Sequence, residues 1–173
     1  MADSGAHDAR AVANHLLDRA EALGVRLPIT SLLKIVYFAH GWFLATRGKP
    51  LIGQSFEAWQ HGPVVRVVYD SFKEESGKPI SGRAKKLDPI AGKFVVCIEY
   101  FSSDEQDFLD SMLRSYSKHH PYELSEMTHE AGSPWWQVWN AKEGKSNPGM
   151  RISDEIILQH FLRLSPADVY RDR

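Results

Sequence analysis

The sequence contains a single cysteine, Cys97, which excludes an intrachain disulfide and any metal site built from several cysteines. It also lacks an excess of charge, since 21 Lys and Arg balance 22 Asp and Glu for a net charge of −1. No overall field therefore attracts nucleic acid or an anionic membrane. No apolar run is expected to be long enough to cross a bilayer, and the first residues lack the pattern of a signal peptide. These features predict a cytoplasmic protein without a membrane partner.

Motifs of the common enzyme classes are missing as well. There is no Gly-x-Ser-x-Gly elbow, no phosphate-binding glycine loop and no dinucleotide fingerprint. The eight histidines include one adjacent pair, His119 and His120, whose side chains would point in different directions on a helix, so we expect no metal site. Cys97 lies in an apolar run, where a buried thiol is more typical than a nucleophile. The sequence therefore predicts a protein that is not an enzyme and binds no cofactor.

Most of the apolar residues recur with the period of α-helices. They predict helices over 8–23, 32–46, 64–75, 102–120, 122–129, 133–139 and 153–161. The second of these is apolar nearly all round, as is typical of a central helix, and Thr30 or Ser31 is predicted to cap it. Ser102 and Glu105 have the spacing of a capping box. Strand patterns cover 56–61 and 94–98, with a surface hairpin predicted over 78–93.

The predicted elements define the fold class. With 173 residues, the chain suits one domain over 1–173, with a core at about 8–164. The strands are too few and too close together for a parallel sheet. We predict a mainly helical α+β fold of about six or seven helices, with a small antiparallel β element of about two or three short strands.

The segment 56–69 changes its period in the middle. Phe56 and Ala58 alternate with polar or amphipathic residues, as in a half-buried strand, whereas a helical stripe begins at Val64. Gly62 and Pro63 lie between the two patterns. The sequence therefore predicts a strand joined to a helix at a rigid Gly-Pro corner. Such a corner either presents a functional site or is only a turn.

Two features are candidate partner surfaces. The first is the tryptophan cluster, in which Trp135 and Trp139 share one helical face and Trp136 lies to the side. Two of the three are predicted to pack in the core, and we expect at least one, Trp136, to face a partner. The second is the basic stretch with Lys78, Arg83, Lys85 and Lys86. A solvated hairpin explains these cations, as does a surface for an acidic partner or for DNA.

Three motifs follow one another along the chain. They read Lys34-x-x-Tyr37-Phe38-Ala39-His40-Gly41, Trp59-x-x-Gly62-Pro63-Val64 and Thr128-His129-x(4)-Pro134-Trp135. Each motif is weak alone, but their combination and order are specific, and the match extends from about residue 32 to residue 161. On these residues the chain resembles the SocA-like Panacea domain, formerly grouped with phage-associated GepA-type proteins.

The resemblance implies a function that composition and spacing do not. It implies a bacterial or phage protein antitoxin of a toxin–antitoxin system, which binds and neutralises a cognate protein toxin. Members of this kind are similar to proteolytic adaptors that deliver the toxin to the ClpXP protease, and homo-oligomers are also considered. Two other hypotheses stay open: a DNA-binding regulator of its own operon, and an enzyme that uses His61 or His129.

The resemblance also carries over a set of motif residues. They are Lys34, Tyr37, His40, Trp42, Glu57, Trp59, His61, Gly62, Pro63, Tyr69, Thr128, His129, Pro134 and Trp135. Because buried polar groups must be paired, the polar members are predicted either to form an internal network or to bind a partner directly. If they form a network, partner choice would lie in surface segments such as 76–93 or 142–151.

Overall fold

The computed structural model describes residues 5–141 and 148–164. Within these ranges the chain forms seven α-helices and five short strands, joined by turns and loops. The helices are α1 Ala9–Ala22, α2 Ile29–Arg47, α3 Arg66–Phe72, α4 Ser103–Tyr116, α5 Pro121–Thr128, α6 Pro134–Asn140 and α7 Asp154–Arg163. The strands are β1 Phe56–Trp59, β2 Gly62–Val64, β3 Lys85–Asp88, β4 Lys93–Val96 and β5 Arg151–Ile152. This architecture confirms the predicted mainly helical α+β class.

Helix α2 is central, as its all-round apolar sequence predicts. It is buried without interruption from Ser31 to Leu44 and packs against α1, α3, α4, α5 and α7. Its predicted cap is wrong, because the helix already begins at Ile29, and Pro28, the cap, makes no side-chain bond. By length and composition alone, α2 with its 19 residues could cross a bilayer, contrary to the expectation from the sequence, but most of it is buried inside the protein, as is usual for a core helix.

The predicted strand-to-helix corner at Gly62 and Pro63 is wrong. Both residues belong to β2, which pairs with β1 in a tight antiparallel hairpin through Trp59↔Gly62 and Ala58↔Pro63. Gly62 has a φ of 111°, which favours glycine, and Pro63 is tolerated because β2 is an edge strand in the order β2-β1-β5. The helix begins only at Arg66. The motif segment therefore forms a hairpin, and α3 follows it.

The second hairpin, β3–β4, lies where residues 78–98 predict it. Its inner side is fixed to α1 by the buried amide of Asn14, which donates to the carbonyl oxygens of Ala84 and Cys97, each at 2.9 Å. The oxygen of the same amide accepts from the backbone N–H of Ala84 at 2.7 Å. Cys97 is fully buried, as predicted. One side chain thus holds both ends of the hairpin against the helical core.

The helix starts agree with their capping residues. Ser102 and Glu105 form the predicted capping box at the start of α4, and the side chains of Ser133 and Ser153 cap α6 and α7. Helix α5 begins one residue before its predicted start, because His120 is its cap and Pro121 its first residue. These local signals set where the helices begin; in the fold, α4, α5 and α7 pack against α2, and α6 packs against β1.

Candidate partner-binding sites

The tryptophans of two motifs meet beside the β1–β2 hairpin. Trp135 donates from its indole nitrogen to the backbone oxygen of Trp59 at 2.6 Å, and it stacks on Trp139 with 5.3 Å between ring centroids. Trp59 in turn packs edge-on against Tyr69 at 4.8 Å. Pro134, the first residue of α6, is buried. These contacts tie α6 and α3 to β1, so the cluster holds the fold together at this point.

Glu57 of β1 forms hydrogen bonds next to this tryptophan cluster. Its carboxylate accepts from the Trp59 indole N–H at 2.7 Å and from the Arg66 guanidinium at 2.8 Å. The Arg66 guanidinium also lies over the Trp59 ring, 5.2 Å from its centroid. The hydrogen bond to Glu57, helped by its charge, raises the pKa of Arg66. The ion pair is therefore built into the hairpin surface.

The motif residues of α2 that follow Lys34 make internal contacts. His40 is fully buried; its Nε2 lies 2.9 Å from Asp154 Oδ1, and its Nδ1 is 3.4 Å from the backbone nitrogen of Ile52. Trp42 donates to the Tyr116 hydroxyl at 2.8 Å. Tyr37 is buried among aromatic rings, and this burial raises the pKa of its hydroxyl. These contacts support the internal-network interpretation for this part of the motif.

Lys34 has different surroundings. Its side chain is buried, with the residue 3% exposed, and its Nζ donates one long hydrogen bond of 3.4 Å to the Pro63 carbonyl. Thr128 is also buried, and its hydroxyl donates a hydrogen bond to the Ser125 carbonyl at 2.7 Å. A Cβ at position 62 would lie 2.6 Å from Lys34 Cε and 2.7 Å from Thr128 Oγ1. Glycine is therefore required where the hairpin crosses α2 and α5.

The two motif histidines are chain neighbours of the residues beside this lysine, because His61 precedes Gly62 and His129 follows Thr128. His129 stacks on Trp135 with 3.9 Å between ring centroids, and its Nε2 is buried without a hydrogen-bond partner among the described residues. Burial is the main cause that lowers the pKa of His129; the Glu126 carboxylate acts in the opposite direction, and the charges of Lys34 and His61 add to the lowering. His61 is exposed, and its backbone oxygen accepts from the Ser125 hydroxyl at 2.8 Å.

The enzyme hypothesis required a partner within hydrogen-bond reach of one imidazole. The carboxylate of Glu126 is 4.0 Å from His129 Nδ1, which is beyond that reach. Among the described residues no group of three or more His, Cys, Asp or Glu side chains is placed to hold a metal ion. The geometry here thus assembles no acid–base pair around His61 or His129 from the described part of the chain.

The predicted basic surface is smaller than its sequence suggests. Lys78 and Lys85 are exposed, whereas Lys86 is half-buried. Arg83 is used internally, because its guanidinium contacts Asp18 and Glu21 of α1 at 2.7 Å each. Trp136, the tryptophan expected to face a partner, is 41% exposed. Of the other candidate segment, 142–151, residues 142–147 lie outside the described residues.

An exposed apolar face on the β3–β4 hairpin is a feature that the sequence prediction missed. Leu87 and Phe94 are paired across the strands and are 55% and 69% exposed. The same face continues along the chain to Val96, Ile98 and Tyr100, which are 40%, 76% and 84% exposed. A signal was present, since the run 94–98 is apolar at every position and only one side of it can face α1. We call these five residues the hairpin face.

Comparison with known proteins places the chain in a family. The family model described as "Antitoxin SocA-like, Panacea domain" matches residues 32–136. The curated protein Antitoxin SocA of Caulobacter vibrioides (strain NA1000 / CB15N) is 37% identical over 154 residues, which cover 89% of this chain and 82% of that protein. No solved structure gives a significant match. The chain therefore belongs to the family of SocA-like antitoxins with a Panacea domain.

Proposed function

We propose that this protein is a cytoplasmic antitoxin that binds a cognate protein toxin through the hairpin face and neutralises it. The observation that carries the proposal is the exposure of large apolar side chains, above all Phe94 and Ile98, on a surface of an antitoxin-family protein. Contiguous apolar surface of this kind is typical of a protein interface. The motif residues then serve mainly to hold the domain in shape.

The hairpin face is well suited to binding because it is fixed in place. Asn14 anchors the inner side of the hairpin at Ala84 and Cys97, so the outer side chains are presented by an ordered backbone. An ordered surface loses less conformational entropy when a partner binds. The exposed Lys85 pairs with Val96, and the exposed Lys93 begins β4. We therefore expect a toxin surface that is apolar at its centre and acidic at its rim.

The test is co-expression with the toxin encoded beside this gene. The toxin alone should stop growth, and co-expression of the wild-type chain should restore it. The double variant Leu87→Ser/Phe94→Ser should fail to restore growth and should lose toxin binding in a pull-down, because it removes the centre of the hairpin face. Both side chains are exposed, so the fold should persist.

Matched controls remove apolar side chains of similar exposure elsewhere. Tyr122 on α5 and Leu162 on α7 are 67% and 56% exposed, and their serine variants should neutralise the toxin like the wild type. The proposed function fails if the neighbouring protein is harmless, or if it still kills in the presence of the wild-type chain. The assignment to the hairpin face fails if the hairpin variant and the controls behave alike.

A second part of the proposal is delivery of the toxin to ClpXP, and it is supported by the family resemblance. Purified ClpXP should degrade the toxin faster when this protein is added, without a matching loss of the protein itself. If toxin turnover does not increase while binding is intact, neutralisation proceeds by sequestration alone. The measurement is the toxin half-life on a gel with and without the antitoxin.

A further inference from the structure

Strand β4 has an unpaired outer edge. The second sheet consists of β3 and β4, and no third strand joins it among the described residues. The N–H of Cys97 donates to the Ala84 carbonyl at 2.9 Å. This bond continues the hairpin register, in which Lys85 pairs with Val96. Hydrogen-bonded and non-hydrogen-bonded pairs alternate along an antiparallel ladder, so the backbone N–H and C=O of Val96 point away from β3.

The open edge extends over Phe94, Val96 and Ile98, whose backbone groups share this orientation. Neither backbone group of Ile98 has a hydrogen-bond partner among the described residues. Residues 94–98 contain no proline and no charge, the features that usually keep an edge strand from pairing. The outer edge of β3, by contrast, is partly covered, because Arg10 donates to the Lys85 carbonyl at 3.4 Å. The edge of β4 is therefore the one open to a further strand.

This edge is complementary to itself when a second copy of the chain runs antiparallel to it. With the two Val96 residues opposite each other, Phe94 of each copy lies opposite Ile98 of the other. In the same register, Lys93 of each copy lies opposite Glu99 of the other. Registers centred on Phe94 or on Ile98 lose this charge pair. The edge thus fits a second copy in one register.

The two members of the charge pair are accessible in the monomer. Lys93 is exposed and has no ion pair among the described residues. The Glu99 side chain is 29% exposed. Its carboxylate contacts His7 Nδ1 at 2.8 Å and accepts from the Asp8 backbone N–H at 3.2 Å, which leaves lone pairs for an ammonium. Opposite charges that face each other across two strands stabilise the pairing of those strands.

We propose that two copies of this chain form a symmetric dimer in which their β4 edges pair antiparallel around Val96. The dimer then contains one four-stranded sheet with the order β3-β4-β4-β3, and backbone hydrogen bonds connect the copies at residues 94, 96 and 98. Because each edge occupies the other, the assembly stops at two copies. The hairpin faces of both copies lie on one side of this sheet. The dimer forms without a toxin and does not depend on the antitoxin proposal.

The test follows the purified full-length chain over a concentration series. Analytical ultracentrifugation should show a monomer–dimer equilibrium. Hydrogen exchange at the Ile98 amide should slow as the dimer forms, because this N–H gains an acceptor in the second copy. The Cys97 amide, which is already bonded to Ala84 in the monomer, is the internal reference for an intact hairpin.

Variants separate edge pairing from other contacts between copies. Val96→Pro removes the central N–H and should be monomeric at every concentration, with its hairpin intact, because proline is tolerated where the N–H points out of a sheet. Lys85→Pro, at the residue opposite Val96 on β3, is the matched control and should dimerise like the wild type. Lys93→Glu makes both ion pairs repulsive and should raise the dissociation constant about tenfold. Lys78→Glu, at an exposed position outside the sheet, should leave it unchanged.

Three results would overturn the proposal. The first is a wild type that stays monomeric throughout the series; if the Ile98 amide then becomes protected only after toxin is added, the edge binds a strand of the toxin instead. The second is dimerisation of Val96→Pro while its Cys97 amide remains protected, or equal loss of the dimer in Lys85→Pro. If Val96→Pro loses the protection of Cys97, Lys93→Glu decides, and an unchanged dissociation constant is the third.

Discussion

Phe161 of α7 lies directly on Gly41 of α2, and a methyl group at position 41 would overlap its ring. The same Phe161 ring packs edge-on against Trp42, the residue after Gly41, with 5.2 Å between ring centroids. Helices α2 and α7 approach closely because one of them presents only a hydrogen at this crossing. The close neighbour of Gly41 is therefore α7, the last helix among the described residues.

This contact makes Gly41→Ala strongly destabilising. The alanine methyl must displace the buried Phe161 ring or push the helices apart, so we expect a loss of about 3 kcal/mol in the free energy of unfolding. Urea denaturation followed by circular dichroism measures it. Gly5→Ala is the control, because a Cβ there meets nothing within 4 Å, and Gly41→Ala/Phe161→Leu should recover part of the loss. Equal stability of Gly41→Ala and wild type would contradict the close packing.

The indole bond between Trp135 and Trp59 supports a second prediction. Trp135→Phe removes the donor to the Trp59 carbonyl but keeps an aromatic ring, so the free energy of unfolding should fall by about 1–3 kcal/mol. Trp136→Phe is the matched control; this ring is 41% exposed, and its replacement should change stability by less than about 0.5 kcal/mol. Chemical denaturation of both variants checks the difference. A similar effect of the two substitutions would mean that the bond adds nothing.

Local signals in the sequence predicted most of the helices. Ser102 and Glu105 mark the start of α4, and the nearly all-round apolar character of 32–46 identifies the central helix. These features depend on neighbours within one or two turns. The strand at Gly62 and Pro63 depends instead on pairing with β1, which no local rule contains. The dipeptide Gly62-Pro63 is equally compatible with the start of a helix. Its pairing with β1 is what makes it a strand.

The candidate sites depend on still longer-range relationships. Lys34 lies in α2 and His129 directly follows α5, and only the folded chain shows that Lys34 has one long hydrogen bond and that His129 Nε2 has none among the described residues. The run 94–98 is apolar on both sides of its strand, and only the contact with α1 through Asn14 decides that the side of Phe94 remains exposed. Motif residues were therefore easy to name, but their individual roles were not.

Lys34 should make stability depend on pH in the alkaline range. Its pKa is about 8 in the folded protein, against an ordinary value of 10.5 in the unfolded chain, so the unfolded chain binds more protons between these values. Stability therefore rises with pH from about 8 to 10.5, by about 3 kcal/mol in total. Lys34→Met should abolish this rise and be more stable than the wild type at pH 7.

The measurement for Lys34 is the difference between wild type and Lys34→Met in urea unfolding at several pH values. Tyrosines and other lysines titrate in the same range, but they are common to both proteins and cancel in the difference. Lys118→Met is the control for the loss of a positive charge at an exposed position. A destabilised Lys34→Met at all pH values would instead assign Lys34 a structural role through the Pro63 carbonyl.

Asn14 connects the stability of the hairpin to toxin binding. Its amide makes three hydrogen bonds to the backbone of Ala84 and Cys97, so Asn14→Leu leaves buried backbone groups unpaired. We expect a loss of about 2–4 kcal/mol and faster hydrogen exchange at the Ala84 and Cys97 amides. If the hairpin face binds the toxin, affinity should also fall, since a loosened hairpin must be ordered on binding. Asn140→Leu is the control at an exposed helix end, and it should leave hydrogen exchange and toxin affinity unchanged. If Asn14→Leu also leaves toxin affinity unchanged, the partner surface lies elsewhere.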